Sequence, residues 1–386
     1  MNAAVNAPLS RHALGIDRPP MRIVHLGLGN FTRSHQAWYT EHATDRAEWG
    51  IAGFAVRGAG LADRLAAQDG LYSLTERGPE SDDVSVIGSL VEAGPGDAAR
   101  IAELIAAPAT AVVTLTITEA GYRLDERPPL ALSRLVMGLE SRRLVRGGQL
   151  AIVSCDNLPA NGAATRTAVL GLATALDRSL DGWIDEYVSF VSTSVDRITP
   201  HLTDAELAGL RNASGWEDAA PVVAEPFSDW VLHGDFPAGR PQWETAGARF
   251  VDDVEPFERR KLWLLNGAHT ILAASGPGRG HETVAAAFAD RYCSELVIGF
   301  WDEAARHLSD PSLDIPGYLQ QLRQRFANPR IAHRLTDIAD QATTKVRVRL
   351  LPVLRAERAA GRSGEATLKA LADAPELLAI LKEESR

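Results

Sequence analysis

Over the first part of the chain, apolar residues fall in short runs, each followed by a turn and then by helical spacing. Arg22-Ile-Val-His-Leu26 predicts a strand, Gly27-Leu-Gly29 a turn, and the residues up to Trp38 a helix. A second strand is predicted over Gly50-Ile-Ala-Gly-Phe-Ala-Val56 and a helix over 61–67. Val84–Val91 and Ala111–Thr118 are further β-rich runs, and a helical stretch from Leu130 to Arg146 leads into Gln149-Leu-Ala-Ile-Val-Ser154. Strands alternating with helices predict a parallel sheet covered on both faces. From Phe257 the texture changes: 257–275, 281–291, 293–307, 316–326 and 331–358 carry helical spacing, with turns at Gly276-Pro-Gly-Arg-Gly280 and Asp310-Pro311. The expected architecture is α/β plus α. A doubly wound domain spans 21–256, and a mostly helical domain spans 257–386 and closes on a short helix pair. Residues 1–20 read as a flexible arm.

A length of 386 residues fits two domains, since single cores rarely grow beyond about 250–300 residues. A formal net charge of −10 argues against a nucleic-acid surface. Cys155 and Cys293 supply neither a disulfide framework nor a zinc quartet, so a reducing, cytoplasmic setting is expected. No apolar run reaches the roughly 18–20 residues of a membrane span, and the N-terminus lacks a signal-peptide core.

Gly27 and Gly29 follow a strand and precede a helix, the setting of a Rossmann-like dinucleotide site. The first glycine permits the tight turn and the second lets backbone approach a pyrophosphate. Thr32 stands where the third fingerprint glycine is expected, so an ordinary βα turn is the competing reading. At the end of the second strand, where NAD enzymes often place a carboxylate on the ribose, the chain reads Val56-Arg57-Gly58. Arg57 could face a 2′-phosphate, which leaves NADP open beside NAD, or could be a solvated surface arginine.

In the second domain, Lys261-Leu-Trp-Leu-Leu-Asn266-Gly-Ala-His269 sets a cation, a carboxamide and an imidazole into an apolar run. On an α-helix Asn266 lies about 140° and His269 about 80° round from Lys261, so all three project from one broad side. Trp263, Leu264 and Leu265 predict burial, and a buried lysine is costly unless paired or neutral. One reading is a lysine that snorkels to the surface, with Asn266 and His269 satisfied by backbone. The other is an acid/base. A lysine at its ordinary value of about 10.4 is almost wholly protonated at neutral pH, and desolvation would lower that value towards the working range.

Taken in order, several segments resemble the mannitol dehydrogenase family, the polyol-specific long-chain dehydrogenases and reductases. They are Val24-His-Leu-Gly-Leu-Gly-Asn-Phe-Thr-Arg-Ser-His-Gln36, Gln68-Asp-Gly-Leu-Tyr-Ser-Leu74, Thr116-Ile-Thr-Glu-Ala-Gly-Tyr122, Ser154-Cys-Asp-Asn-Leu158 with Asn161-Gly162, and Val195-Asp-Arg-Ile-Thr-Pro200. Glu225-Pro-Phe227, Gly239-Arg-Pro241, Lys261 through His269 and Arg325-Phe-Ala-Asn-Pro329 continue the series. The resemblance implies that Lys261 is the general acid/base, that no metal takes part, and that Asn157 and Asn266 hold the substrate oxygen. It implies further that His269 positions substrate and that Glu258, three residues before the lysine, moves protons. Cofactor binding is implied for Gly27, Gly29, Asn30, Phe31, Arg57, Thr118 and Glu119. Substrate binding is implied for Asp156, Arg197, His333, Arg334 and Lys345, with the site in the cleft between the domains.

Plainer readings stand beside these. Asp156-Asn157 also fits a turn or helix N-cap, Asp196-Arg197 a structural ion pair, Glu258 a first-turn carboxylate, His333-Arg334 a solvated helix face, and Lys345-Val-Arg-Val-Arg349 one basic face. His35 is expected to support the cofactor turn. The chain also departs from the family pattern. The branch that oxidises mannitol at C2 carries an Arg…His…Lys set where this chain reads Asp337, Asp340 and Lys345. His333-Arg334 looks more like the branch that reduces keto-uronates.

The expected function is a metal-independent NAD(P) oxidoreductase that interconverts a sugar alcohol with its ketose. Mannitol and fructose lead, and mannonate with fructuronate (or tagaturonate) and mannitol 1-phosphate are the alternatives. A zinc-dependent polyol dehydrogenase lacks its ligand set here. A Schiff-base enzyme would not need the glycine turn. A catalytically silent NAD(P)-binding sensor would have no use for an acid/base. No membrane or nucleic-acid partner is expected, and the sequence leaves oligomeric state open.

Overall fold

The computed structural model describes residues 7–124, 128–200, 202–339 and 342–372. The chain divides into two compact units, Met1–Arg77 with Asp82–Val254, and Gly78–Ser81 with Glu255–Arg386.

The first unit is built on an eight-stranded sheet. Its strands are β1 (Met21–Leu26), β2 (Gly50–Phe54), β3 (Leu90–Gly94), β4 (Val112–Leu115), β5 (Leu150–Ser154), β6 (Val188–Asp196), β7 (Asp229–His233) and β8 (Arg249–Phe250). They lie in the order β8-β7-β6-β5-β4-β1-β2-β3. β1 to β6 run parallel, β7 is antiparallel to β6, and β8 is parallel to β7. The six parallel strands have the doubly wound order of dinucleotide-binding folds, and the order reverses between β1 and β4. Period-two alternation sends neighbouring side chains to separate cores. Ile23, Ile51, Val112 and Ala151 join one core, and Val24, Ala52, Val113 and Ile152 join the other. The central strands are buried on both faces, as a parallel sheet between helices requires.

Three expectations are corrected here. The run Val84–Val91 is not one strand. Asp82–Ile87 pairs with Tyr72–Arg77 in a separate three-stranded sheet, and the chain crosses Gly88-Ser89 before entering β3. Residues 7–20 are not a loose arm. Leu9 is buried, Ala7 and Pro8 pair with Trp216 and Glu217, and Arg11 donates to the carbonyls of Asp17 (2.8 Å), Asp69 (3.1 Å) and Leu90 (2.9 Å). The helix expected to run unbroken to Trp38 breaks at His35, between Asn30–Ser34 and Gln36–His42.

In the second unit the described residues form helices, with an isolated β-bridge between Thr283 and Arg334. The expected helix over 257–275 is present but is not uniformly α. Glu255–Arg260 and Ala268–Ser275 are α-helical, and Lys261–Gly267 between them winds as a π-helix. Within 331–358 the described helical residues are Leu335–Ala339, Ala342–Arg349 and Leu351–Ala359. Pro352, which lacks an N–H for the preceding turn, accounts for the last break. One helix of the expected C-terminal pair, Glu365–Ala372, is seen, and 373–386 lie outside the described residues. Among the described residues no helix is long and apolar enough to cross a membrane.

Candidate active site

The glycine turn leaves β1 at the point where the strand order reverses, the position at which open α/β sheets bind ligands. Gly27 has φ +113°, and a Cβ there would meet the Thr116 carbonyl oxygen at 2.0 Å, so the fold itself demands glycine. Gly29 is different: an added Cβ would meet only the Gly27 oxygen, at 3.6 Å. That open space over the backbone fits a pyrophosphate approaching it. Thr32, in place of the third glycine, is explained by a buried network. Thr116 Oγ1 donates to the Gly27 carbonyl (2.8 Å), Thr32 Oγ1 lies 2.9 Å from Thr116 Oγ1 and 2.7 Å from His25 Nε2, and His25 Nδ1 lies 2.7 Å from Thr114 Oγ1. Burial lowers the His25 pKa to about 4, so the imidazole is neutral.

The other expected cofactor residues surround this turn with different degrees of engagement. Asn30 accepts from Arg33 Nη2 (2.6 Å), and Phe31 stacks on the buried His35 at 4.8 Å. Arg57 is exposed after β2, and no carboxylate stands beside it in the sequence. Thr118 sits past the end of β4 with φ +65°, a costly conformation for a threonine, held by its N–H to Asp156 Oδ1 (2.7 Å). Glu119 is exposed and ion-paired to Arg123 at 3.1 Å.

Two residues expected at the substrate prove to be internal supports. Asp156, buried, accepts from the N–H groups of Ile117 (3.0 Å) and Thr118 and from the Tyr122 hydroxyl (2.6 Å), and so ties the β4 and β5 ends together. Burial raises its pKa. The Arg197 side chain is wholly buried, donates to Ser34 O (2.6 Å), Glu225 O (3.1 Å) and Glu76 Oε1, and lies over the Trp38 ring. Each of these donors is met by a group of the fold itself. Asn157, by contrast, is exposed just past the end of β5.

In the second unit, Lys261 and Asn266 are half-buried at the two ends of a segment whose Trp263, Leu264 and Leu265 are buried. The π winding matters because a ring closed from i to i+5 brings residues five apart nearly into line. An α-helix would leave Lys261 and Asn266 about 140° apart around the axis, the full width of the broad side expected from the sequence. His269, one turn on, is buried against Phe326 (4.9 Å between centroids) and edge-on to His333 (4.8 Å). Its pKa lies well below the ordinary histidine value, first through burial and then through the charges of His333, Arg325, Arg349 and Lys261. Neither His269 Nε2 nor His333 Nδ1 has a hydrogen-bond partner among the described residues.

Glu258 lies half-buried in the first turn of Glu255–Arg260. The pair His333-Arg334 precedes a helix instead of lying on one. His333 turns in to His269, whereas Arg334 is exposed and stands outside the cluster. Lys345 Nζ donates to the Ile338 carbonyl (2.8 Å), and Arg347 is exposed, so the expected single basic face is split. Asp340 lies outside the described residues.

Sequence reasoning missed Arg349. Its Nη1 donates to Asn266 O (3.3 Å) and Thr270 Oγ1 (3.1 Å), its Nε has no partner among the described residues, and burial lowers its pKa to about 10. The available signal was its i+4 spacing from Lys345. Among the described residues no three His, Cys, Asp or Glu side chains cluster as metal ligands.

Both units of the chain match known protein domains. The chain matches the Mannitol dehydrogenase Rossmann domain over residues 21–245 and the Mannitol dehydrogenase C-terminal domain over 253–375. It is 38% identical to the D-mannonate oxidoreductase of Escherichia coli K12 over 381 residues, 91% of this chain and 78% of that protein. Among solved structures it is similar to the Pseudomonas fluorescens mannitol 2-dehydrogenase in ternary complex with NAD and D-mannitol, with TM-score 0.83 and 33% identity over 97% of this chain and 82% of that one. A substrate-free D-sorbitol dehydrogenase gives TM-score 0.88 and 32% identity over 98% of this chain and 84% of that one. With both domains matched in order and more than a third of positions identical to a full-length relative, the chain belongs to the mannitol dehydrogenase family.

Proposed function

We propose that this chain is an NAD-dependent oxidoreductase that interconverts a secondary alcohol of an acyclic sugar alcohol, or of the matching aldonate, with the ketone. The observation that carries the reading is the π winding of Lys261–Gly267, which holds Lys261 and Asn266 five residues apart just before His269, a buried, neutral imidazole whose Nε2 has no partner among the described residues. NAD, when bound, supplies the two-electron acceptor. Gly27, Gly29, Asn30 and Phe31 would hold it, with Thr118 and Glu119 at the end of β4. Lys261 takes the proton from the reacting hydroxyl, a role worth about 100- to 10,000-fold. The Asn266 amide donates to the oxygen as it gains negative charge, with Asn157 as second donor. Each such donor contributes roughly 2.7–4 kcal/mol by analogy with oxyanion holes. His269 orients a neighbouring hydroxyl, and Glu258 relays the proton.

A second, finer reading rests on charge. His333, Arg325, Arg349 and Lys261 all lie close enough to act on His269, and His269 Nε2, His333 Nδ1 and Arg349 Nε have no partner among the described residues. A substrate carboxylate would complete this set, which favours an aldonate over mannitol. The similarity to a D-mannonate oxidoreductase supports it.

The test is absorbance of reduced nicotinamide with NAD or NADP over D-mannitol, D-arabinitol, D-mannitol 1-phosphate and D-mannonate. The carboxylate reading expects the highest kcat/KM with D-mannonate. Lys261→Ala should lower kcat at least about 100-fold while leaving NADH affinity nearly unchanged. Near-normal activity in that variant removes the lysine from the mechanism, and cofactor binding without turnover on any substrate points to a sensor.

A further inference from the structure

We propose that Trp301, with Phe300 and Gly267, selects the π winding of Lys261–Gly267, and that these are positioning residues for Lys261 and Asn266. The inference rests on the role given to Lys261 above. In an α-helix the Leu264 carbonyl would accept the Ala268 N–H. Here Ala268 donates to Leu265 O, and the fully buried Trp301 donates its Nε1–H to Leu264 O at 2.7 Å from the helix Arg291–Ala305. Two residues on, the Asn266 carbonyl accepts from Thr270 Oγ1 (3.0 Å) and Arg349 Nη1. Side chains thus hold the two carbonyls that border the switch back to α-helix. Gly267 has ordinary helical φ (−61°), so its need is space: a Cβ would stand 2.6 Å from Phe300 Cε1 and 3.0 Å from Cζ. Glycine lets the Phe300-Trp301 edge close on the segment so that the indole N–H reaches its carbonyl. Relaxation to α winding would turn Asn266 away from Lys261, and the substrate oxygen would lose one of its donors.

Trp301→Phe keeps an aromatic ring and removes only the donor, and Gly267→Ala pushes Phe300 away and removes none. If the first variant does not fold, the second takes its place. The expected result is hydrogen exchange over residues 261–270 faster by at least about tenfold. With NAD and either D-mannitol or D-mannonate, kcat falls at least about tenfold, NADH affinity stays within about twofold, and the limb of the kcat–pH profile that disappears in Lys261→Ala moves. Exchange unchanged from wild type overturns the proposal. So does faster exchange with kcat and pH profile intact, because the turn would then be held without positioning anything. Full activity in Lys261→Ala instead sinks the functional reading, and the exchange data still decide whether Trp301 holds the turn.

Discussion

Acid is the most direct probe of the network beneath the glycine turn. In the folded chain His25 is enclosed by Thr114, Thr116 and Thr32 and stays neutral down to about pH 4. In the unfolded chain the same imidazole takes up a proton near pH 6.5. The stability drawn from burying a neutral ring is therefore whole above about pH 6.5 and is lost as the pH falls towards about 4. With each unit worth about 1.36 kcal/mol, the loss is about 2 kcal/mol at pH 5 and about 3 kcal/mol by pH 4. Other groups also titrate in this range, so the measurement is a difference. Urea unfolding of the wild type and of His25→Gln, from about pH 7.5 to about pH 4.5, isolates the histidine, because glutamine keeps a donor and an acceptor but takes no proton. The wild type should lose about 2.5 kcal/mol more than the variant over that span. Parallel stability curves would mean that His25 is not held neutral in the folded chain.

Gly27→Ala combines a backbone conformation that L-residues avoid with a methyl overlapping the Thr116 carbonyl, which cannot swing away. It should cost about 3 kcal/mol or more, read as a lowered urea midpoint, and unaltered stability would contradict the turn geometry. Arg197→Met strips Glu76 and the Glu225 carbonyl of their partner and should cost about 3–5 kcal/mol with the KM of the surviving enzyme unchanged. A stable variant with a raised KM would instead return Arg197 to the substrate.

The parts of the fold legible in the sequence are those governed by local chemistry. Gly27 could be read because a turn that tight excludes any side chain, and β1, β2, β4 and β5 because strands covered on both faces are continuously apolar. The region 155–256 was legible only as motifs, since β7 and β8 are set by tertiary pairing. The π segment was not legible. Nothing in Lys261-Leu-Trp-Leu-Leu-Asn266 departs from helical spacing, and the donor that takes the Leu264 carbonyl lies 37 residues away. Asp156 and Arg197 show the converse limit. A motif marks them as important, but only the structure reveals the internal partners that hold them.

Those partners also separate the two kinds of buried basic residue in this chain. Arg11, Arg142 and Arg197 are buried, and each spreads its guanidinium over three or more acceptors, mostly carbonyls. Folding can retain such groups for stability, because every donor named is matched. His269, His333 and Arg349 are also shielded from water, yet each keeps a nitrogen without a partner among the described residues. An unmatched buried polar group costs about 1–3 kcal/mol, and here His333 and Arg349 both lie near enough to act on His269. Stability alone gives no reason to retain that arrangement. A ligand that brings hydrogen-bonding groups to these nitrogens does, and the hydroxyls and carboxylate of the acidic sugar proposed above are groups of that kind.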